Sequence, residues 1–408
     1  MVLCANNESE ASPRPIPATA VGDLETAKTF IAVEGAQVCA RAMDYTARAI
    51  VLTGSLSRGE ATLKKEGLGW RVLGDATFLV IHPRPASLRT SQIEAEIESF
   101  LASHGISCKI VVVTSTPGAL RKMKPHIYAF ELRERGIVVW GDQSVLDLMP
   151  RFTAEEIPIE DGWWFLSNRM IEQLESATKA KDPPDSDAGI RYRIAKLYLS
   201  MAACYLLAIG QYEPSYQDRA RRLRELAGSS ISHPSPIPLD RFARLVSECT
   251  YLKLHGDKGG KLDKFPQWRE ATSDAEALWR WTLARMVNSN PNISRSELIA
   301  ILAKRQQWFA RAKGWVRAAV VHPAVFRRSW RKWVRLACLG SPRYLVYGAA
   351  SDLFFHSGDT GTVTPRELAT IAETLPLCFC EGDRQLTWCG VASMIADNFH
   401  RFVESTRS

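Results

Sequence analysis

This chain lacks the long apolar runs and export signals that mark membrane and secreted proteins. None of its 408 residues lies in a stretch of the roughly 18 uncharged apolar residues that a membrane-spanning helix needs. The most apolar stretch, residues 197–209, is shorter and predicts a buried helix. The N-terminus has no basic-then-apolar signal pattern, and its proline-rich residues 12–17 predict a disordered leader over 1–22. We therefore expect a cytoplasmic protein without a transmembrane segment.

Cysteine is present but shows no pattern typical of disulfide bonding or zinc binding. The nine cysteines are scattered, and an odd number without regular spacing predicts reduced thiols. Cys378, Cys380 and Cys389 form the one local group, and their spacing is not that of a zinc site. We interpret these three residues as small buried hydrophobic side chains.

Length and composition predict a globular protein with more than one domain. Hydrophobic residues make up 46% of the chain and charged residues 24%, and 408 residues suffice for two or three domains. Strand-like runs occur only before residue 159, whereas helical patterns continue towards the C-terminus. This shift predicts an α/β domain over 23–150 and a helical region over 151–408. The proline-rich residues 232–238 suggest that the helical region is divided near 228–262.

Three segments of the α/β region have recognisable patterns. Residues 51–60, VLTGSLSRGE, run from an apolar stretch into a Gly-Ser turn, and residues 72–81, VLGDATFLVI, form a strand that becomes apolar after an acid. Side chains two apart on a strand point the same way, so Asp75 and Thr77 share a face. Residues 127–142 predict a helix that ends at Gly136 and continues into a short strand.

Over residues 40–145 these segments resemble the nucleotidyltransferase superfamily, which includes DNA polymerase beta, the aminoglycoside nucleotidyltransferases and the minimal nucleotidyltransferases. The resemblance implies an α+β fold in which a mixed sheet with flanking helices precedes a mostly helical C-terminal region. It implies that a nucleoside triphosphate binds at the Gly-Ser turn, with Asp75 as the catalytic carboxylate that holds Mg²⁺. We expect Gly54 and Ser55 to open a helix that Asp75 and Thr77 face. The nucleotide-binding residues implied are Gly54, Ser55, Arg58, Gly59 and Thr77.

The chain departs from this family in its metal ligands. The family places two carboxylates on one strand, as Asp-x-Asp or Asp-x-Glu, and a third on a later strand, because two divalent ions stabilise the attacking and leaving oxygens. Here Thr77 takes the second position, and the corresponding later strand at 108–114 contains no acid. Glu60 and Asp142 are candidates to supply the missing carboxylates.

Two alternative functions follow from the resemblance. The first is transfer of a nucleotidyl group to a small molecule or a protein, which requires that enough metal ligation survives. The second is a catalytically degenerate nucleotidyltransferase, a pseudo-enzyme that senses a nucleotide or acts as a scaffold.

Four polar residues of the helical region are further candidates for binding a triphosphate or an anionic acceptor, since arginine and lysine supply charge-assisted hydrogen-bond donors. We assign Lys196 to the nucleotide site. In the alternative, Lys196 and Arg219 extend their charged ends into solvent. The four residues are Arg169, Lys196, Tyr212 and Arg219.

The window 301–345 is strongly basic. It contains 11 lysines and arginines and no acid. The charge of this window therefore exceeds the net charge of +8 for the whole chain. Tryptophans at positions 308, 315, 330 and 333 alternate with these charges. The pattern predicts either a basic interaction surface for a polyanion or a membrane, or amphipathic helices whose tryptophans pack inward.

Overall fold

The computed structural model describes residues 23–84, 89–179, 187–256, 265–359, 363–377 and 386–404. The chain divides into two compact units, one of residues 1–124 with 131–151 and the other of residues 125–130 with 152–408. The leader predicted at 1–22 lies outside the described residues, as do Cys378 and Cys380. The cysteines that the structure describes are free thiols, and Cys389 is exposed, so its interpretation as a buried side chain is wrong.

The first unit is built around a small mixed sheet. Strand β3 pairs antiparallel with β1 and β2 and parallel with β4, and β1 pairs antiparallel with β5. Its elements in chain order are α1 (Leu24–Ala42), β1 (Ala49–Thr53), β2 (Leu63–Glu66), β3 (Gly69–Ile81), α2 (Thr90–Ser103), β4 (Ile106–Ser115), α3 (Pro117–Arg121) and β5 (Ile137–Gly141). Helix α4 (Ile127–Arg135) precedes β5, and its first residues belong to the second unit.

Helices α1 and α2 pack on one face of this sheet, where they form its core. Phe30 from α1 and Ile97 from α2 belong to one buried cluster with Phe78 of β3 and Ile110 of β4. The approach is close, because a Cβ atom added at Gly35 would lie 2.8 Å from the ring of Phe78. Since neighbouring residues on a strand point to opposite faces, the residues next to these core positions lie on the other face of the sheet.

The second unit is helical throughout the part that the structure describes. Residues 197–208 are all buried, most of them in its main core, which confirms the predicted buried helix. No helix among the described residues is long and apolar enough to cross a membrane. The helices are α5 (Ile159–Lys179), α6 (Asp187–Ala208), α7 (Tyr216–Ala227), α8 (Leu239–His255), α9 (Trp268–Met286), α10 (Arg295–Arg305), α11 (Trp308–Val321), α12 (Pro323–Leu339), α13 (Pro342–Asp359), α14 (Pro365–Thr374) and α15 (Trp388–Phe399).

The architecture is therefore α+β, with a mixed sheet and flanking helices in the first unit and a helical C-terminal region. This agrees with the predicted fold class at that level of detail.

Candidate functional site

The Gly-Ser segment forms a single tight turn directly after β1. The amide of Gly59 donates to the carbonyl of Leu56 at 3.1 Å, and the amide of Glu60 donates to the carbonyl of Ser55 at 2.8 Å. This pair of bonds is the Schellman arrangement that closes a helical turn, with Gly59 in the left-handed region at φ +72°. The expectation that Gly54 and Ser55 open a helix is wrong, because the left-handed conformation of Gly59 ends the helix after a single turn.

Both glycines of the turn are required by backbone conformation rather than by crowding. Gly54 has φ +80° and Gly59 has φ +72°, which L-residues rarely adopt. A Cβ atom added at either position would meet no other atom within 4 Å. The space beside both backbone positions is therefore open to a ligand.

Asp75 and Thr77 lie on β3 next to this turn. Thr77 is paired with Thr53, the last residue of β1, in the antiparallel register. The pairing ends there because the chain leaves β1 after Thr53, so the Gly-Ser turn begins beside Thr77. The carboxylate of Asp75 is exposed, whereas the intervening Ala76 is buried against the helices. Asp75 and Thr77 thus share the face of the sheet opposite to α1 and α2.

Strand β4 presents a cation rather than an acid to this face. In the parallel register Asp75 is paired with Lys109, and Thr77 is paired with Val111. Lys109 is exposed, and its neighbours Cys108 and Ile110 are buried on the helix side. Burial raises the pKa of the Cys108 thiol to about 12, so this thiol is neutral at physiological pH. The strand pairing therefore brings the carboxylate of Asp75, the hydroxyl of Thr77 and the ammonium group of Lys109 to the same face.

The donor set beside Asp75 does not match a two-metal centre. Among the described residues, no group of three or more His, Cys, Asp or Glu side chains is placed to hold a metal ion. Mg²⁺ prefers carboxylate and other oxygen ligands, and the Lys109 ammonium opposes cation binding. Asp75 is thus the one carboxylate that the strand pairing brings to this position.

The two acids considered as replacements form ion pairs elsewhere. Glu60 is paired with Arg58 at 3.0 Å, and Asp142 is paired with Arg48 at 2.7 Å. Hydrogen bonds from Ser144 and Arg48 hold the pKa of Asp142 below its usual value. Both carboxylates therefore stabilise their own loops.

Arg58 forms a buried ion-pair cluster with two glutamates. Its Nε atom lies 3.0 Å from Glu60, and its Nη1 atom lies 2.9 Å from Glu131. The Arg58 side chain is only 7% exposed. Glu131 belongs to α4, so this arginine connects the Gly-Ser turn to the helix that precedes β5. Sequence reasoning assigned Arg58 to the nucleotide and did not find Glu131 as its partner.

Lys196 lies on α6 in the second unit, where it pairs with Glu172 at 2.8 Å. Arg169 also pairs with Glu172, and its Nε atom donates to the hydroxyl of Ser200 at 3.0 Å. Burial favours the protonated glutamate, but the charges of Arg169 and Lys196 hold the pKa of Glu172 below its usual value. These three charged groups therefore form one ion-pair network.

Arg219 does not reach solvent, so the alternative in which its charged end extends into solvent is wrong. It is 1% exposed. Its guanidinium donates to the hydroxyl of Tyr212 at 2.6 Å and to the carbonyls of Glu213 at 2.7 Å and Pro214 at 3.0 Å. The loop before α7 folds around this side chain because its carbonyls need buried donors.

The tryptophans of the basic window divide into two inward and two outward residues. Trp315 and Trp333 are buried, with ring centroids 5.5 Å apart, and their indole N–H groups donate to the carbonyls of Gly340 and Pro376. Trp308 is 77% exposed and Trp330 is 49% exposed. The predicted inward packing therefore holds for Trp315 and Trp333, whereas an interaction surface for a polyanion or a membrane stays a prediction.

No protein-family model matches the chain, and neither a curated protein nor a solved structure gives a match.

Proposed function

We propose that the first unit is a catalytically degenerate nucleotidyltransferase that binds a nucleoside triphosphate at the Gly54–Ser55 turn and acts as a nucleotide sensor or scaffold. The observation that supports this most directly is the register of β4, which pairs Lys109 with Asp75 and Val111 with Thr77. Polar groups remain on the face of the sheet opposite to α1 and α2. Of the three positions where the family has carboxylates, however, only Asp75 holds one, because Thr77 takes the second and β4 supplies no acid.

The chemistry favours binding over transfer. A two-metal mechanism needs several carboxylates to hold both ions against the phosphates, and Asp75 alone does not fit this set. An ammonium group, in contrast, forms charge-assisted hydrogen bonds with phosphate oxygens directly. In our proposal Lys109 supplies positive charge to the triphosphate, and the open backbone at Gly54 and Gly59 allows its close approach.

Arg58 then has a structural role. With Glu60 and Glu131 as partners, its guanidinium already neutralises two buried carboxylates. We propose that Arg58 positions the turn rather than contacting the nucleotide.

Calorimetric titration of the full chain with ATP, GTP, CTP and UTP, in Mg²⁺ and in EDTA, tests the proposal. We expect one of the four to bind and its binding to persist in EDTA. Lys109→Ala should weaken that binding roughly tenfold to a hundredfold, as expected for a hydrogen bond to a charged group. Lys122→Ala is the matched control, because Lys122 is exposed on the same unit. The proposal fails if no triphosphate binds, or if both variants bind like the wild type.

The alternative, an active nucleotidyltransferase, predicts pyrophosphate release by the wild type in the presence of Mg²⁺. We expect no release. Thr77→Asp restores an Asp-x-Asp pair at a half-buried position of β3, and it should increase the Mg²⁺ dependence of nucleotide binding. Pyrophosphate release by the wild type, abolished in Asp75→Asn, would establish the active enzyme instead.

A further inference from the structure

The hairpin of α11 and α12 carries the most apolar part of the surface that the structure describes. Nine of the 17 large hydrophobic residues that are exposed among the described residues lie between 308 and 339. Single exposed hydrophobic residues are ordinary, but a contiguous group marks a surface for interaction. The nine are Trp308, Phe309, Val316, Val320, Val321, Phe326, Trp330, Val334 and Leu339.

Three of these residues form a stripe along α11. On α11, Phe309, Val316 and Val320 follow the spacing i, i+7 and i+11, which keeps them on one helical face. Trp315 of α11 and Trp333 of α12 pack into one buried cluster, which contains none of these three residues. On α12, Phe326 lies at the edge of this cluster, with its ring centroid 5.7 Å from that of Trp333. The stripe on α11 therefore lies outside the core of the hairpin.

The charge of this hairpin indicates the chemistry of its partner. Residues 301–345 contain 11 basic residues and no acid, so the hairpin does not neutralise its own arginines. Arg327, Arg331 and Arg335 are exposed on α12 beside Trp330 and Val334. A partner that matches this face must be negatively charged at its surface and must also accept apolar side chains.

A cleft beside the stripe has the same character. It has a volume of about 230 Å³, and its lining includes Lys313, Arg317 and Arg343 but no carboxylate. The guanidinium of Arg343 lies over the ring of Trp164, with 4.2 Å between its Cζ atom and the ring centroid. Such a cleft suits a phosphate group.

We propose that the outer face of the α11–α12 hairpin docks on an anionic phospholipid surface. Arginine and lysine bind the head groups, while the aromatic and aliphatic side chains enter the boundary of the acyl region. A nucleic acid backbone would match the arginines but leave Val316, Val320 and Val334 exposed. A second copy of the chain is disfavoured, since two such basic faces without an acid would repel each other.

Co-sedimentation of the full chain with vesicles tests this docking. We expect binding to vesicles of phosphatidylglycerol and phosphatidylcholine, none to phosphatidylcholine alone, and a decrease in binding with added NaCl because the charges are screened. Arg327→Gln, Arg331→Gln and Arg335→Gln together should lower the partition coefficient roughly a hundredfold, from the contribution of each basic residue near an anionic surface. Phe309→Ser, Val316→Ser and Val320→Ser together should lower it roughly tenfold or more.

Two matched controls separate this face from general effects of charge and polarity. Arg41→Gln, Arg89→Gln and Arg121→Gln remove the same charge from exposed positions of the first unit. Leu68→Ser and Ile231→Ser remove apolar residues that are 102% and 68% exposed. Both controls should bind vesicles like the wild type.

Several results would overturn the proposal. They are equal binding to neutral and anionic vesicles, no binding at low salt, or unchanged binding in both sets of hairpin variants. Binding of a single-stranded oligonucleotide, measured by fluorescence anisotropy, without vesicle binding would assign the face to nucleic acid. The vesicle comparison and the salt series use the wild type alone, so they decide the question even if a variant fails to fold.

Discussion

Replacement of Arg58 by methionine separates a structural role from a role in nucleotide binding. In the wild type the Arg58 guanidinium lies 3.0 Å from Glu60 and 2.9 Å from Glu131. Methionine keeps most of the aliphatic volume but removes the charge. The substitution therefore leaves two carboxylates close together in a buried position.

The expected destabilisation is large. The side chains of Arg58, Glu60 and Glu131 are 7%, 3% and 16% exposed, so solvent screens their charges weakly. Removal of one partner from a buried ion pair destabilises the fold by about 3–5 kcal/mol. Neutralising all three residues, with Arg58→Met, Glu60→Gln and Glu131→Gln, should restore most of this loss, because uncharged groups of similar shape avoid the desolvation penalty.

Amide hydrogen exchange of peptides spanning residues 49–66 in the full chain provides the measurement. A loss of 3–5 kcal/mol corresponds to exchange that is at least about a hundredfold faster, since 1.4 kcal/mol is a factor of ten. Arg71→Met is the matched control, because the Arg71–Glu66 pair is 3.5 Å apart with side chains 57% and 46% exposed. Surface pairs of this kind contribute less than about 1 kcal/mol.

The opposite pattern would refute the reasoning. If Arg58→Met exchanges like the wild type but loses affinity for a nucleoside triphosphate, Arg58 is a ligand-binding residue. The ion pairs with Glu60 and Glu131 would then be dispensable for the turn.

Three further predictions concern the second unit. Arg219→Leu should destabilise it by about 3–5 kcal/mol in urea denaturation, because the buried acceptors lose their donor. Arg221 is exposed on the same helix, so Arg221→Leu should have little effect. Burial lowers the pKa of His126 in the folded protein, although the charge of Asp161 raises it. As the pH falls, the unfolded chain therefore binds this proton at a higher pH than the folded protein does. Thermal stability should therefore fall as the pH drops below about 6.5, and less steeply in His126→Asn. Trp333→Ala should reduce stability in urea by about 3–5 kcal/mol as a core deletion, while Trp330→Ala should change it by less than about 1 kcal/mol.

Each of these predictions has a result that contradicts it. Equal destabilisation by the Arg219 and Arg221 variants would mean that burial of Arg219 does not matter. A pH profile of His126→Asn that parallels the wild type would assign the acid sensitivity to other groups. Equal effects at Trp330 and Trp333 would contradict the orientation of α12.

Local patterns in the sequence determined the elements and which face of β3 is polar. Apolar residues at 76, 78 and 80 alternate with Asp75 and Thr77, and a strand must place these two sets on opposite faces. The buried helix through residues 197–208 was also predictable, because an evenly apolar stretch too short for a membrane is stable only inside a core.

Only the tertiary structure decided which distant residues meet. Arg58 and Glu131 are 73 positions apart, and Lys109 lies opposite Asp75 only through the register of two parallel strands joined across α2. Helical periodicity placed the tryptophans of α11 and α12 on faces, but it did not say which face is inside. That choice depends on the apolar area that neighbouring helices offer, and no stretch of sequence contains this information by itself.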